Sequence, residues 1–436
     1  MEKARPVHTA VSSPGRGLLP GRTSGPLSAA VAAVVVAVAG GCASPHPAAH
    51  PAAGDVPPPA VALVGDTYRV PEPLPSGTPG ALIAATDHGP DARLAGARRW
   101  TALYHSTNAH GADVPVSGTV LLPPGAPPQG GWPVVSWGHG TTGVADACAP
   151  SQLPDLGSGA YTQELGALLR AGYAVTASDY PGLGTPGMHT YLVGADEGNA
   201  VADIVTAAHQ LVPGLGRVWF AVGHSQGGQA ALFAAHAAHP PGGQRLGGVV
   251  AVAPASHLEV MLAGVKASHV PGELSFALYS LAGLAATDRT DASLSLRSLL
   301  GNEAATTASR VLAGCITTSD QVLNGLDTEK TLPLSADQLQ RIGERMGAYG
   351  DPDRAQIPVP ALIIQGKADQ DVPPAWTDQV VARLRRLGSR AVFYRTYPGA
   401  GHDQVLDRSV CDLLAFLSAH GGIRPAACTP PRTGTG

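Results

Sequence analysis

The chain has 436 residues, of which 44% are hydrophobic and 14% charged, and its formal net charge is −4. That balance excludes a disordered acidic or basic protein, and with no run of Lys or Arg there is no basis for nucleic-acid binding. The length suits one large α/β domain with insertions, or two smaller domains.

The first 42 residues read as a targeting segment. Lys3, Arg5, Arg16 and Arg22 supply positive charge, and an apolar stretch from Leu27 to Ala39 follows. The stretch is short for a membrane span and has the length of a signal-peptide core. It runs through small residues, "AGGC", into Cys42. A cysteine there resembles a bacterial lipoprotein processing site, so Cys42 is the expected lipidation point; plain signal cleavage and an uncleaved anchor are the alternatives. Residues 43–64, rich in Ala and Pro, read as a stalk. The expected location is therefore secreted or attached to the cell envelope.

Beyond the stalk, short apolar runs alternate with helix-like ones. Expected strands are "RRWTALYHST", "PVSGTVLLP", "WPVVSWGHG", "YAVTASDYPG", "VWFAVGHS", "GGVVAVAP", "PALIIQG" and "AVFYRTYPG". From "WPVVSW" onward most are continuously apolar, as parallel strands covered on both faces should be. Between them, "EGNAVADIVTAAHQLV" aligns Val201, Ile204, Val205 and Ala208 on one helical face. "AWTDQVVARLRRLG" does the same with Trp376, Val380, Leu384 and Leu387. The expected fold is α/β, a mostly parallel sheet with helices on both faces. One stretch breaks the rhythm: residues 257–356 contain no convincing strand and read as a helical cap inserted between core segments 65–256 and 357–436. An insertion there would sit above the carboxyl edge of the sheet, where such folds keep their sites.

The seam between "VWFAV" and "AALFAAHAA" carries Gly223-His224-Ser225-Gln226-Gly227. This is G-x-S-x-G, the nucleophile elbow of α/β-hydrolases. The strand turns so sharply into the helix that side chains flanking the serine would collide with neighbouring backbone, hence Gly223 and Gly227. A serine hydroxyl needs a histidine to take its proton and a carboxylate to orient that histidine. Downstream, in the order the elbow requires, Asp369 follows the strand "PALIIQG" and His402 follows "AVFYRTYPG". Asp371 is a rival acid, set back from the strand tip. The oxyanion hole needs two backbone N–H groups. One is expected from Gln226, the other from Thr141 or Thr142 in the glycine-rich loop "GHGTTG".

Cys42 aside, Cys148, Cys315, Cys411 and Cys428 remain. An even number in an exported chain points to two disulfides out of three possible pairings. Cys411–Cys428 would close a short terminal loop and leave Cys148–Cys315; buried free thiols are the alternative.

Taken together, "SWGHGTTGVADACAPS", "DYPGLG", "GHSQGG", "GKADQDVP" and "GAGH" resemble the secretory lipases of the lipase A type, from about Gly65 to the last cysteine. The "HGTTG…CAPS" and "DYPGLG" segments are the specific part; the others are shared widely among hydrolases. The resemblance implies Ser225, Asp369 and His402 as a triad, a helical lid and disulfides. It also implies acylglycerols or other esters as small-molecule or lipid substrates. The lipase A members from yeast are secreted free, from which the Cys42 segment departs.

The expectation is thus a serine carboxylic-ester hydrolase. With no H-E-x-x-H, C-x-x-C or phosphate loop, no metal or organic cofactor is expected. An acyltransferase or peptidase could use the same frame, and a non-catalytic surface lipoprotein is the reading from another class.

Overall fold

The computed structural model describes residues 66–237, 243–268, 271–424 and 428. The chain divides into Met1–Val56 and Pro57–Gly436. The export segment, Cys42 and the stalk all lie outside the described residues. No described helix is long and apolar enough to cross a membrane.

Nine strands form one sheet: β1 (Leu82–Asp91), β2 (Ala97–Thr107), β3 (Asp113–Leu122), β4 (Trp132–Gly138), β5 (Ala174–Ser178), β6 (Leu215–His224), β7 (Arg245–Val252), β8 (Ala361–Gly366) and β9 (Val392–Tyr397). Their order is β1-β2-β3-β5-β4-β6-β7-β8-β9. The first three strands run antiparallel up to β3–β5, and every pairing from β5–β4 onward is parallel. This is the α/β-hydrolase fold. β4, β5, β7 and β8 are buried nearly throughout, because helices cover both faces.

The helices are α1 (Gly159–Arg170), α2 (Gly194–Leu211), α3 (Gln226–Ala234), α4 (Leu258–Ser268), α5 (Pro271–Thr287), α6 (Leu296–Leu312), α7 (Ile316–Leu323), α8 (Thr328–Thr331), α9 (Ala336–Gly350), α10 (Pro374–Arg386) and α11 (Gln404–Ala419). On one face α2, α3 and α10 contribute Val201, Leu232 and Val380 to a shared core. On the other, α1 and α11 contribute Leu165 and Leu413. Helices α4 to α9 lie between β7 and β8 and have a core of their own, built on Leu262, Leu278, Leu300 and Met346. That is the helical insertion expected from the missing strands.

Two local readings are corrected. The strand β1 was not expected, because only Leu82 to Ala85 is apolar before "TDHGPD" brings turn-type residues. It forms because β2 offers a long antiparallel partner, and the register shifts at Leu82/Ala84 and at Asp87/Gly89 absorb the irregular sequence. In α10 the face against the sheet is Thr377, Val380, Val381 and Leu384. Leu387 lies past the last turn and is 41% exposed, while Trp376 turns toward a cavity under the insertion.

The described cysteines are joined as Cys148–Cys315 and Cys411–Cys428, with Cα–Cα separations of 5.4 and 5.6 Å. The first bond ties the loop after β4 to the start of α7.

Candidate active site

The elbow occupies the junction of β6 and α3. Ser225 has φ 57° and ψ −119°, a region costly for a side-chain-bearing residue and characteristic of functional turns. It is held there by its own backbone: its N–H donates to the Val252 carbonyl at 2.9 Å, and its carbonyl accepts from the N–H groups of Gln229 and Ala255 at 3.1 Å each. The flanking glycines are required by packing. A Cβ on Gly223 would lie 2.1 Å from the Gly227 carbonyl oxygen, and one on Gly227 would lie 2.0 Å from that of Gly138. Within residues 221–230 only Ser225 is not fully buried.

Asp369, just past β8, is buried. Its Oδ1 accepts from the N–H groups of Asp371 at 3.0 Å and Val372 at 2.9 Å. Its Oδ2 accepts from Gln365 Nε2 at 2.9 Å and pairs with His402 Nδ1 at 2.8 Å. Asp371 makes no such bond to the ring, yet its carboxylate lies with Asp369 and His402 in a cluster whose nearest polar atoms are within 4.8 Å of one another. Burial alone would lower the His402 pKa, but the Asp369 hydrogen bond and the charges of Asp369, Asp371 and Asp403 outweigh it. The imidazole is held above its usual value of 6.5. His402 sits beside the elbow, since its carbonyl oxygen is 3.1 Å from Nε2 of His224, the residue before Ser225.

The two threonines after β4 separate. Thr141 lines the same cavity as Ser225, and its Oγ1 is 2.6 Å from the Tyr191 hydroxyl. Thr142 is buried, with its carbonyl accepting from the Ile316 N–H at 2.9 Å. Gln226 is buried at the first turn of α3. Its Nε2 lies 2.8 Å from Glu197 Oε1 and 2.9 Å from His189 Nε2. Burial pushes the Glu197 carboxyl up to about 8 and the His189 imidazole down to about 4. At neutral pH this network behind the elbow is therefore largely uncharged, which is what its depth demands.

The cavity measures about 230 Å³. Ser225 and Thr141 line it together with Leu258, Met261, Gly264 and Val265 of α4 and Phe276 of α5, a mostly apolar set, and Asp371 and Glu273 bring carboxylates to it. Chemically, the arrangement offers a hydroxyl on a strained turn, a carboxylate-oriented imidazole packed against the residue that precedes it, and a helix N-terminus behind, where positive partial charge favours an oxyanion.

The sequence did not point to Gln365, Thr377, Glu197, His189, Tyr161 or His224 as neighbours of these groups. Gln365 left a signal, being the one polar residue in the apolar run "ALIIQ"; Thr377 Oγ1 donates to its Oε1 at 2.7 Å and so orients its amide toward Asp369.

The fold has close counterparts among solved structures. A ligand-bound form of the rice cell wall degrading esterase LipA from Xanthomonas oryzae aligns at TM-score 0.62 with 18% identity, covering 77% of this chain and 95% of that one. Candida antarctica lipase A in its closed state aligns at TM-score 0.66 with 19% identity, covering 84% and 87%. No curated protein sequence matches the chain. A family model does, over residues 157–409, a span that includes Ser225, Asp369 and His402: it is Hydrolase_4, described as serine aminopeptidase, S33. This chain belongs to that family of hydrolases.

Proposed function

We propose that the protein is a serine carboxylic-ester hydrolase of the lipase A type. The observation that carries this reading is Ser225 on a strained elbow, opening onto an apolar cavity beside a His402 that is hydrogen-bonded to buried Asp369. Ser225 Oγ adds to the ester carbonyl carbon while His402 Nε2 takes the hydroxyl proton. The oxyanion is met by the N–H groups of Gln226 and Thr141. Collapse expels the alcohol, which receives the proton from His402 and leaves an acyl-enzyme. Water, deprotonated by the same imidazole, then releases the carboxylic acid. Asp369 holds the ring and stabilises its charged form without taking the proton.

The test joins activity with labelling. Wild type should hydrolyse p-nitrophenyl esters of graded chain length and be labelled by a fluorophosphonate on Ser225 alone. Ser225→Ala should fold normally and lose about 10⁴- to 10⁶-fold in kcat. An adduct on another residue would overturn the assignment.

A second reading has one observation of its own. Asp371 and Glu273 line the cavity, and a carboxylate there could hold the free α-amine of a peptide, as the aminopeptidase description of the family suggests. Faster turnover of aminoacyl p-nitroanilides than of p-nitrophenyl esters would favour it.

We further propose export, with anchoring through Cys42. The support is the apolar core from Leu27 to Ala39, the small residues before the cysteine and the stalk after it. A diacylated and N-acylated cysteine would hold firmly where one chain would not. Wild type should fractionate with membranes and Cys42→Ala should not. A wild-type product found wholly in the medium, with its N-terminus past Cys42, would refute anchoring.

A further inference from the structure

The residue preceding the proposed nucleophile is not idle. His224 is 1% exposed and lies over the His402 ring, with centroids 4.5 Å apart. Its two ring nitrogens meet different partners. Nε2 faces the His402 carbonyl oxygen at 3.1 Å, and Nδ1 faces the Tyr161 hydroxyl at 3.3 Å. The Tyr161 oxygen in turn accepts from the Gly140 N–H at 3.2 Å.

These partners leave one consistent direction for the hydrogen bonds. A carbonyl oxygen only accepts, so Nε2 carries the proton and donates. Nδ1 is then the acceptor, and the Tyr161 hydroxyl donates to it. The hydroxyl oxygen is thereby free to accept from Gly140. Burial, followed by the nearby charge of His402, holds the His224 imidazole well below its usual pKa, so the neutral form that this pattern needs is the one present. The chain Gly140–Tyr161–His224–His402 thus joins four parts of the fold: the loop carrying Thr141, helix α1, the elbow and the histidine loop.

We propose that His224 and Tyr161 are positioning residues: His224 fixes the backbone of His402, and Tyr161 sets the register of that contact against the loop carrying Thr141. The proposal rests on the reading of Ser225, Asp369 and His402 as the reacting groups. Its physical content is that Asp369 grips only the ring of His402, whereas the ring's distance from Ser225 also depends on where the backbone sits. A shift of about 1 Å in such a group costs on the order of 100-fold in rate.

A pair of amides separates this from a packing role. Counted in bonds from Cα, the amide nitrogen of Gln stands where Nε2 of His stands, and the polar atoms of Asn stand where Nδ1 stands. His224→Gln therefore keeps a donor for the His402 carbonyl, and His224→Asn keeps only the Tyr161 contact. The experiment measures kcat and KM on p-nitrophenyl butyrate, the rate of fluorophosphonate labelling at Ser225, and the melting temperature. His224→Asn should lower kcat and the labelling rate about 10- to 100-fold with KM within about twofold. His224→Gln should recover most of that loss. Tyr161→Phe should cost less than His224→Asn, and the double variant should cost less than the product of the two single losses, since both act through one chain.

Equal kcat for the Gln and Asn variants, with labelling of wild type intact, would overturn the positioning role and leave the hydrolase reading standing. So would losses that merely follow the melting temperature. Wild type that is not labelled at Ser225 would overturn both.

Discussion

The carboxyl edge of the sheet and the helical insertion above it treat backbone in opposite ways. At the elbow, a single added carbon on Gly227 would lie 2.0 Å from a carbonyl oxygen; in α4, a Cβ on Gly264 would meet nothing within 4 Å. Around the proposed reacting groups, position is fixed by main chain: Ser225 is held by Val252, Gln229 and Ala255, and Asp369 by the N–H groups of Asp371 and Val372. The insertion meets the cavity through side chains on one face of α4, namely Leu258, Met261 and Val265. The difference teaches where each property is written. The proposed reacting groups are set by a backbone that admits almost no added atom, whereas the cavity wall is set by side chains with open space beside them.

The same mutation placed in the two regions tests this most sharply. Gly227→Ala should lower ester hydrolysis at least about 100-fold, because the elbow must shift to admit the methyl group. Gly264→Ala should leave hydrolysis of a short ester intact and raise stability by roughly 0.5–1 kcal/mol, as Ala replaces Gly within a helix and its methyl group meets open space. Kinetics and thermal melting of the two variants read both outcomes, and similar losses in both would erase the contrast.

Next comes the bond between the regions. Removing Cys148–Cys315, which spans 167 residues, with the double change Cys148→Ser and Cys315→Ser should destabilise by up to about 5 kcal/mol on chain-entropy grounds. Activity should fall as well, since Thr142 and Gly143 pair with Ile316 and Cys315 and Thr141 adjoins them. Melting and kcat, each with and without reductant, supply the check.

Gly264→Phe should fill part of the cavity. Long-chain p-nitrophenyl esters should lose about 10-fold or more against short ones, whereas a uniform loss would argue that α4 contributes nothing to selectivity.

The smallest expected effect is electrostatic. His402 must be neutral to accept a proton, and its pKa is held above 6.5, so kcat/KM should fall as pH drops through that raised value. Asp371→Asn removes one of the carboxylates that favour the imidazolium. The acid limb should then move to lower pH, and an unchanged limb would mean that solvent screens Asp371.

Much of the fold is visible in the sequence because parallel strands buried on both faces leave continuous apolar runs, as in "PALIIQG". β1 leaves no such trace, since its order comes from β2. Ser225, Asp369 and His402 can be picked out because each follows a strand end in a patterned loop. The residues packed around them and around Gln226 cannot, because no local pattern links residues 29 and 178 positions apart, as Glu197 is from Gln226 and His224 from His402. Only Gln365 stands out, as a polar residue inside an apolar strand. The choice between Thr141 and Thr142 turns on which one faces the cavity, a matter of loop conformation that neighbouring identical residues do not encode.

The fastening of the insertion has a consequence for how it can move. Its two chain crossings lie side by side, with the Leu258 N–H donating to Asp351 Oδ1 at 2.8 Å. A flap attached only there could swing like a door. The disulfide at Cys315 pins the insertion again near its middle, and a door pinned at its far side does not swing. Rotation of the whole insertion about that pair of crossings is thereby opposed.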